Sequence, residues 1–262
     1  YMSDCYKICG RGQYHKDDFD TGSTGSFKNA RQAREAMAEN LEKINELQQK
    51  LYAEKREGVI FLFQAMDAAG KDGTIRAVLS CLSPQGVTEA AFKAPTSTEL
   101  AHDFLWRVEQ CVPEKGQIAI LEHRYEDIRN WEKYLYHNSI RMVKIFLNVG
   151  KEEQARRFLS RIREEKKNWK FSAADVQERA FWDDYQAAFE DAINETATKA
   201  CPWYVVPADH KWYMRWMVSQ IIRETLEEMD PHWPKADDEE RALFSRYEAH
   251  LAAEAGETEA QP

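Results

Sequence analysis

The chain has 262 residues, 43% hydrophobic and 31% charged, with a formal net charge of −9. That length can bury a full core as one α/β domain, or one domain with an appendage. No run approaches 18 uninterrupted apolar residues, and the N-terminal stretch is polar from Ser3 to Gly25. Neither a membrane span nor a signal peptide is therefore expected, and the protein reads as cytoplasmic. The acidic balance argues weakly against a nucleic-acid partner. It is unevenly placed: from Lys235 to Pro262 eight acids stand against three Lys or Arg, a net −5. This tail reads as a solvated helix or as disorder. Cys5, Cys9, Cys81, Cys111 and Cys201 are scattered, odd in number and without His partners at metal spacing. Cys5 and Cys9 could form a redox or metal pair, but free thiols in a reducing compartment are the preferred reading.

In chain order, residues 1–26 look irregular, with Gly, Asp, Ser and Thr clustered from Asp17 to Ser26. A long helix is expected from about Lys28 to Arg56, with Met37, Leu41, Ile44 and Leu51 on one face. A strand over 58–66 leads through a glycine turn into a helix over 71–82, and Gly86 to Phe92 reads as a second strand. Thr96 and Glu99 form a capping-box signature for a helix through Cys111. Ile118 to Leu121 is a third strand, followed by an amphipathic helix to about His137, a strand over Met142–Val149 and a charged helix over 151–166. Ser172 and Asp175 start a helix to about Asn194; Trp203–Pro207 is a last strand and Asp209–Met229 a last helix. Alternating strands and helices mean a parallel sheet covered on both faces. The expected organisation is an irregular segment over 1–27, a single domain over 28–234 and an acidic tail over 235–262.

The most informative stretch is the apolar run Val59–Met66 followed by Asp67, Ala68, Ala69, Gly70, Lys71, Asp72, Gly73 and Thr74. A buried strand, a glycine turn, a lysine and a helix N-terminus aim backbone N–H groups and one cation at the same point, which attracts phosphate. A strict phosphate loop reads Gly-x-x-x-x-Gly-Lys-Ser/Thr; here Ala65 stands at the first glycine and Asp72 at the hydroxyl. The bland reading is a strand–turn–helix corner in which Gly70 and Gly73 only permit the turn. Asp67 favours the functional one. A carboxylate in a phosphate loop repels its ligand unless a divalent cation sits between them, so Mg²⁺ is expected at Asp67, since that ion takes one or two carboxylates plus phosphate oxygens. Mn²⁺ could replace it.

Residues 156–170 carry seven cations against two acids in an acidic protein. They straddle a helix end and the next start, with Trp169 and Phe171 among them, as a mobile lid would. The lid is expected over about 156–175. Arg157, Arg161, Lys167 and Lys170 are candidate phosphate ligands, arginine suiting charge that develops in a transition state. Lys93 follows the second strand at the ligand edge of the sheet, and Arg107 could point back into the cleft. His102, His123 and His210 read as structural, because a phosphate oxygen needs no base at neutral pH.

Six ordered runs resemble one known family. They are Gln64–Ile75, Phe92–Thr96, His102–Arg107, Asn168–Ser172, Trp182–Tyr185 and Pro202–Asp209 with Lys211–Tyr213. Spread over roughly 20–234, they are similar to the polyphosphate kinase 2 family, in the subgroup acting on nucleoside mono- and diphosphates. The resemblance implies a P-loop kinase fold like that of thymidylate kinases, a parallel sheet sandwiched by helices with a helical lid. It implies reversible transfer of the terminal phosphoryl of inorganic polyphosphate to AMP or ADP, giving ADP or ATP, with Mg²⁺, in bacteria. Asp67 would hold the metal and Lys71 bridge donor and acceptor oxygens. Arg107 and Lys93 would serve the nucleotide; Arg157, Arg161, Lys167 and Lys170 would be the lid cations. Ala68, Ala69, Gly70, Asp72, Gly73 and Thr74 are the expected phosphate cradle. A homo-oligomer, dimer or tetramer, is implied by the resemblance alone.

One junction departs from the family. Its members carry after the third strand a segment like Phe-Asn-Arg-Ser-His-Tyr-Glu-Asp-Val and a further stretch, which supply an arginine and acids to the site. Here Ile118–Leu121 runs straight into Glu122–His123–Arg124–Tyr125–Glu126, so about two dozen residues are expected to be missing between Ile120 and Leu121. A strand joined to a helix without a loop is geometrically poor. Either the protein lost the segment or the sequence joins the flanks of an omitted loop; the second is preferred, because an active-site loop without ligand is often disordered. Consecutive α-carbons about 3.8 Å apart at 120–121 would count against it. Two other readings stand beside the main one: an ATP-dependent nucleoside monophosphate kinase, since fold does not fix substrate, and a non-catalytic phosphate-binding module if the segment is truly absent.

Overall fold

The structure is a computed structural model that describes residues 1–91, 110–122 and 128–255. It contains two compact units, Tyr1–Pro231 and His232–Pro262. The first is built on a six-stranded sheet: β1 (Lys7–Ile8), β2 (Gly58–Ala65), β3 (Val87–Ala91), β4 (Ile118–Glu122), β5 (Ile140–Asn148) and β6 (Trp203–Pro207), in the order β1-β6-β5-β2-β4-β3. Every pairing is parallel except β1 on β6, where Lys7 lies opposite Tyr204. The N-terminal segment, expected to be irregular, thus adds an antiparallel edge. Two residues are too few to show an alternating pattern in sequence.

The central strands are buried on both faces, as their continuous apolar runs require. Val59, Phe61 and Phe63 of β2 pack with the layer of α1 (Ala30–Glu54), α2 (Lys71–Leu79) and α7 (Lys211–Met229). Ile60 and Leu62 pack against α3 (Ile128–His137), while Phe146, Trp203 and Val205 pack against α6 (Trp182–Thr196). Asn29 caps α1, its side chain accepting from Arg31 and Gln32 amides. The sheet is therefore an α/β sandwich with the carboxyl ends of β2, β5 and β6 along one edge.

α4 (Lys151–Arg163) matches the expected charged helix. The helix expected from Ser172 to Asn194 is instead broken into α5 (Ala173–Glu178), a 3₁₀ turn over Arg179–Phe181, and α6. The break falls where Arg179 reaches back to α4, donating to Gln154 Oε1 at 2.5 Å and Lys151 O at 3.1 Å. The helix expected over 96–111 lies largely outside the described residues, as do Lys93, Arg107, His102 and His123. In β4, Ile120 lies opposite Phe61 and Leu121 opposite Leu62. The second unit holds α8 (Asp238–Ala255), started by a reciprocal capping box between Asp237 and Glu240.

Candidate active site

β2 delivers the chain to the sheet edge at Ala65, and α2 starts at Lys71 with Gly70 as its N-cap. Between them Ala68 adopts φ 61° and Gly70 φ 100°. A left-handed alanine is strained, and the contacts that hold it are visible. Ala69 N donates to Met66 O at 3.1 Å, closing the turn. Asp67 O accepts from Gln154 Nε2 at 2.8 Å. Ala68 O and Ala69 O accept from Arg157 Nη1 at 3.0 and 2.6 Å. Gly70 O accepts both the amide and the hydroxyl of Thr74. Thr74 is fully buried, and its hydroxyl braces the loop from inside.

The two sides of this loop differ in charge and shape. On one side lies a cavity of about 400 Å³ lined by Met66, Asp67, Asp175, Glu178, Tyr185 and Phe189, among others. Asp67 is open to solvent at its mouth, yet the surrounding protein still desolvates it. That burial, then the charges of Asp175 and Glu178, push its carboxyl above the usual range, against the pull of Arg161 and Lys71. Arg161 pairs with Asp175 at 3.5 Å and donates to Lys170 O at 3.1 Å. The structure therefore brings Asp67, Lys71 and Arg161 into one electrostatic neighbourhood.

Outside the cavity lining, beside Gly70 and Gly73, stand cations that the sequence does not single out. A methyl group at Gly70 would stand 3.9 Å from Lys211 Cε, and one at Gly73 3.3 Å from Arg215 Nη2. Burial lowers the Lys211 pKa, and the neighbouring charges of Arg157, Lys167 and Arg215 lower it further. Arg215 Nε is buried without a hydrogen-bond partner. Both residues open α7 directly after β6, and that position after the last strand at the ligand edge is the signal that could have found them. Lys167 belongs to this side but also binds Ser160 Oγ at 2.8 Å and Glu164 at 2.6 Å. Lys170 lies over the exposed Trp169 ring at 4.9 Å. Asp72, in the first turn of α2, is exposed.

Arg157 is not where the lid reading put it. It is 7% exposed, and each of its five donors has an acceptor inside the protein: Glu153, Ala68 O, Ala69 O, Ala208 O and Asp209 O. A guanidinium so committed has no donor left for phosphate.

A parallel α/β sheet with a phosphate loop at its carboxyl edge and a basic helical hairpin beside it defines the P-loop kinase class. Comparison with known proteins narrows this. The family description "Polyphosphate kinase 2 (PPK2)" matches residues 27–126 and 121–234. An ADP-polyphosphate phosphotransferase of Rhodopseudomonas palustris is 44% identical, over 77% of this chain and 81% of that protein. An AMP/ADP-polyphosphate phosphotransferase of Meiothermus ruber is 39% identical, over 88% and 96%. The crystal structure of polyphosphate kinase 2 from Arthrobacter aurescens TC1 superposes with a TM-score of 0.84 at 36% identity, covering 90% of this chain and 94% of that one. This chain belongs to the polyphosphate kinase 2 family. The two matched segments meet at 121–126, where the sequence departs from the family pattern. The Meiothermus alignment spans 255 positions but only 88% of the 262-residue chain, so about two dozen of its positions have no counterpart here.

Proposed function

We propose that this chain is a phosphotransferase that moves the terminal phosphoryl group of inorganic polyphosphate to AMP and ADP. Family membership and the names of its relatives support the reaction. The observation that carries the assignment of sides is the asymmetry of the phosphate loop. A nucleotide acceptor has a base to enclose, and a cavity of about 400 Å³ is of the size that holds a small ligand. Polyphosphate has no base and needs only cations, which Lys211, Arg215 and Lys167 supply beside the loop and outside that cavity. An acceptor phosphate oxygen then attacks the terminal donor phosphorus in line. The bond to the bridging oxygen breaks, and the shortened chain leaves with the electron pair. Positioning and charge neutralisation do the work, with Lys71 and Arg161 facing the transferred group.

Family membership points to a divalent metal requirement, and Mg²⁺ is our assignment. Asp67 fits such an ion: its carboxylate is set against Asp175 and Glu178, a repulsion that a cation would relieve. Among the described residues no group of three or more His, Cys, Asp or Glu could hold a metal. That suits an ion held by one carboxylate and the substrates' own phosphates. When bound it would neutralise phosphoryl oxygens during transfer.

The test is ATP formation from AMP, and separately from ADP, with long-chain polyphosphate, Mg²⁺ and no other donor. Production from both supports the proposal. Transfer from ATP to AMP alone would move the protein to the monophosphate kinases, and silence with every donor would overturn catalysis altogether. Lys71→Ala should abolish transfer with the fold intact; unchanged turnover would remove this mechanism.

A further inference from the structure

We infer that Arg157 is a positioning residue that sets the shape of the phosphate loop from behind and ties it to α4 and the β6–α7 turn. This rests on the phosphotransferase reading above. Peptide planes carry C=O and N–H on opposite edges. With Asp67 O held by Gln154 and Ala69 O held by Arg157, the amides of Ala68 and Gly70 face away from α4, toward the ligand side. The same guanidinium holds Ala208 O at 2.6 Å and Asp209 O at 2.9 Å. Asp209 in turn accepts from Gly150 N, at the start of α4, at 2.7 Å and from Thr21 Oγ1 at 2.8 Å. One buried cation thus fastens the loop, the lid helix and the strand end that launches Lys211 and Arg215. It also sustains the left-handed Ala68, a conformation that persists only where its surroundings over-determine it.

The arrangement distinguishes shape from charge. Lysine keeps the charge but has three donors on a single nitrogen, and it cannot span the loop and the β6–α7 turn together. In Arg157→Lys, kcat with AMP and with ADP is expected to fall on the order of tenfold to a hundredfold through a displaced loop. The polyphosphate KM should stay within about threefold, the split expected when transition-state positioning and not binding is lost. Amide hydrogen exchange at Ala68 to Lys71 should speed up while β2 and β5 stay protected. In Arg157→Ala, millimolar guanidinium should restore part of kcat and methylammonium should not. If Arg157→Ala fails to fold, Arg157→Lys still decides. A raised polyphosphate KM with kcat intact would make Arg157 a ligand and overturn the inference; so would lost kcat with unchanged exchange at the loop. If the wild-type protein transfers nothing, the phosphotransferase reading fails on its own, and the exchange comparison still judges the role of Arg157.

Discussion

Lys144 in β5 and Glu132 in α3 form an ion pair inside the protein, with side chains 0% and 3% exposed and Nζ 2.5 Å from Oε1. Lys144 also donates to Thr196 O at 2.7 Å and lies 5.5 Å from the Trp203 ring centroid. Lys144→Met leaves the carboxylate buried without its cation, which costs about 3–5 kcal/mol for a pair broken from one side. At ~2–4 °C per kcal/mol for a domain of this size, Tm should fall by about 6–20 °C. Replacing both, in Lys144→Met with Glu132→Leu, removes the charge to be desolvated and should return stability to within about 1 kcal/mol of wild type, or above it. The sign with pH follows. In Lys144→Met the penalty falls on the ionised carboxylate, so the deficit is largest at pH 7 and shrinks on acidification as that charge is neutralised. Urea unfolding of the wild type, both single variants and the double variant at two pH values measures the cycle. Additive losses, with the double variant as unstable as the sum of the singles, would refute the coupling and the reasoning with it.

At the site, Asp67→Asn should separate stability from activity. Its raised pKa means a contribution present below the ordinary carboxyl pKa and lost as pH rises through the folded value. The ionised form therefore costs stability at pH 7. The variant should melt higher than wild type at neutral pH and no higher below about pH 3.9, while transfer drops on the order of a hundredfold or more; a variant less stable at pH 7 contradicts the site's electrostatics. Ionic strength should act on one substrate more than the other. The proposed donor site rests on the charges of Lys167, Lys211 and Arg215, and the Debye length falls from about 10 Å at 0.1 M to about 3 Å at 1 M salt. Initial rates should show the polyphosphate KM rising more steeply with salt than the AMP KM, and equal slopes would speak against the two-sided site.

The loop itself was legible because its signals are local: an apolar run, a glycine, a lysine and a helix start within some fifteen residues. That the main strands run parallel follows from their alternation with helices for the same reason, while their order in the sheet does not. Arg157 was misread because only its charge is visible in a basic run, while its partners Ala69 and Ala208 are 88 and 51 residues away. For Lys211 and Arg215 the sequence offers only their place after the last strand, which puts them at the ligand edge but not beside Gly70 and Gly73. Asp175 and Glu178 were overlooked as cavity walls for a related reason: the break at Arg179 that turns α5 toward the loop depends on a contact with α4.

The connection after β4 is where this chain parts from its relatives, and chain length limits what it can do. Only residues 123–127 join Glu122 to Ile128, and such a connection spans at most about 20 Å even fully extended. Five residues are too few to form over the cavity a lobe of the kind two dozen further residues could form. On the reading proposed above, enclosure of the acceptor falls to α4, α5 and α6, which wall the cavity through Gln154, Asp175 and Phe189. Water exclusion at the transfer point depends on such enclosure. This chain should therefore leak phosphoryl groups to water, releasing orthophosphate from polyphosphate in the absence of any acceptor. Inserting the relative's segment after Glu122 should suppress that release and raise the rate of nucleotide phosphorylation. Phosphate release that is undetectable in the chain as it stands, with full transfer to AMP, would mean that the three helices enclose the site unaided.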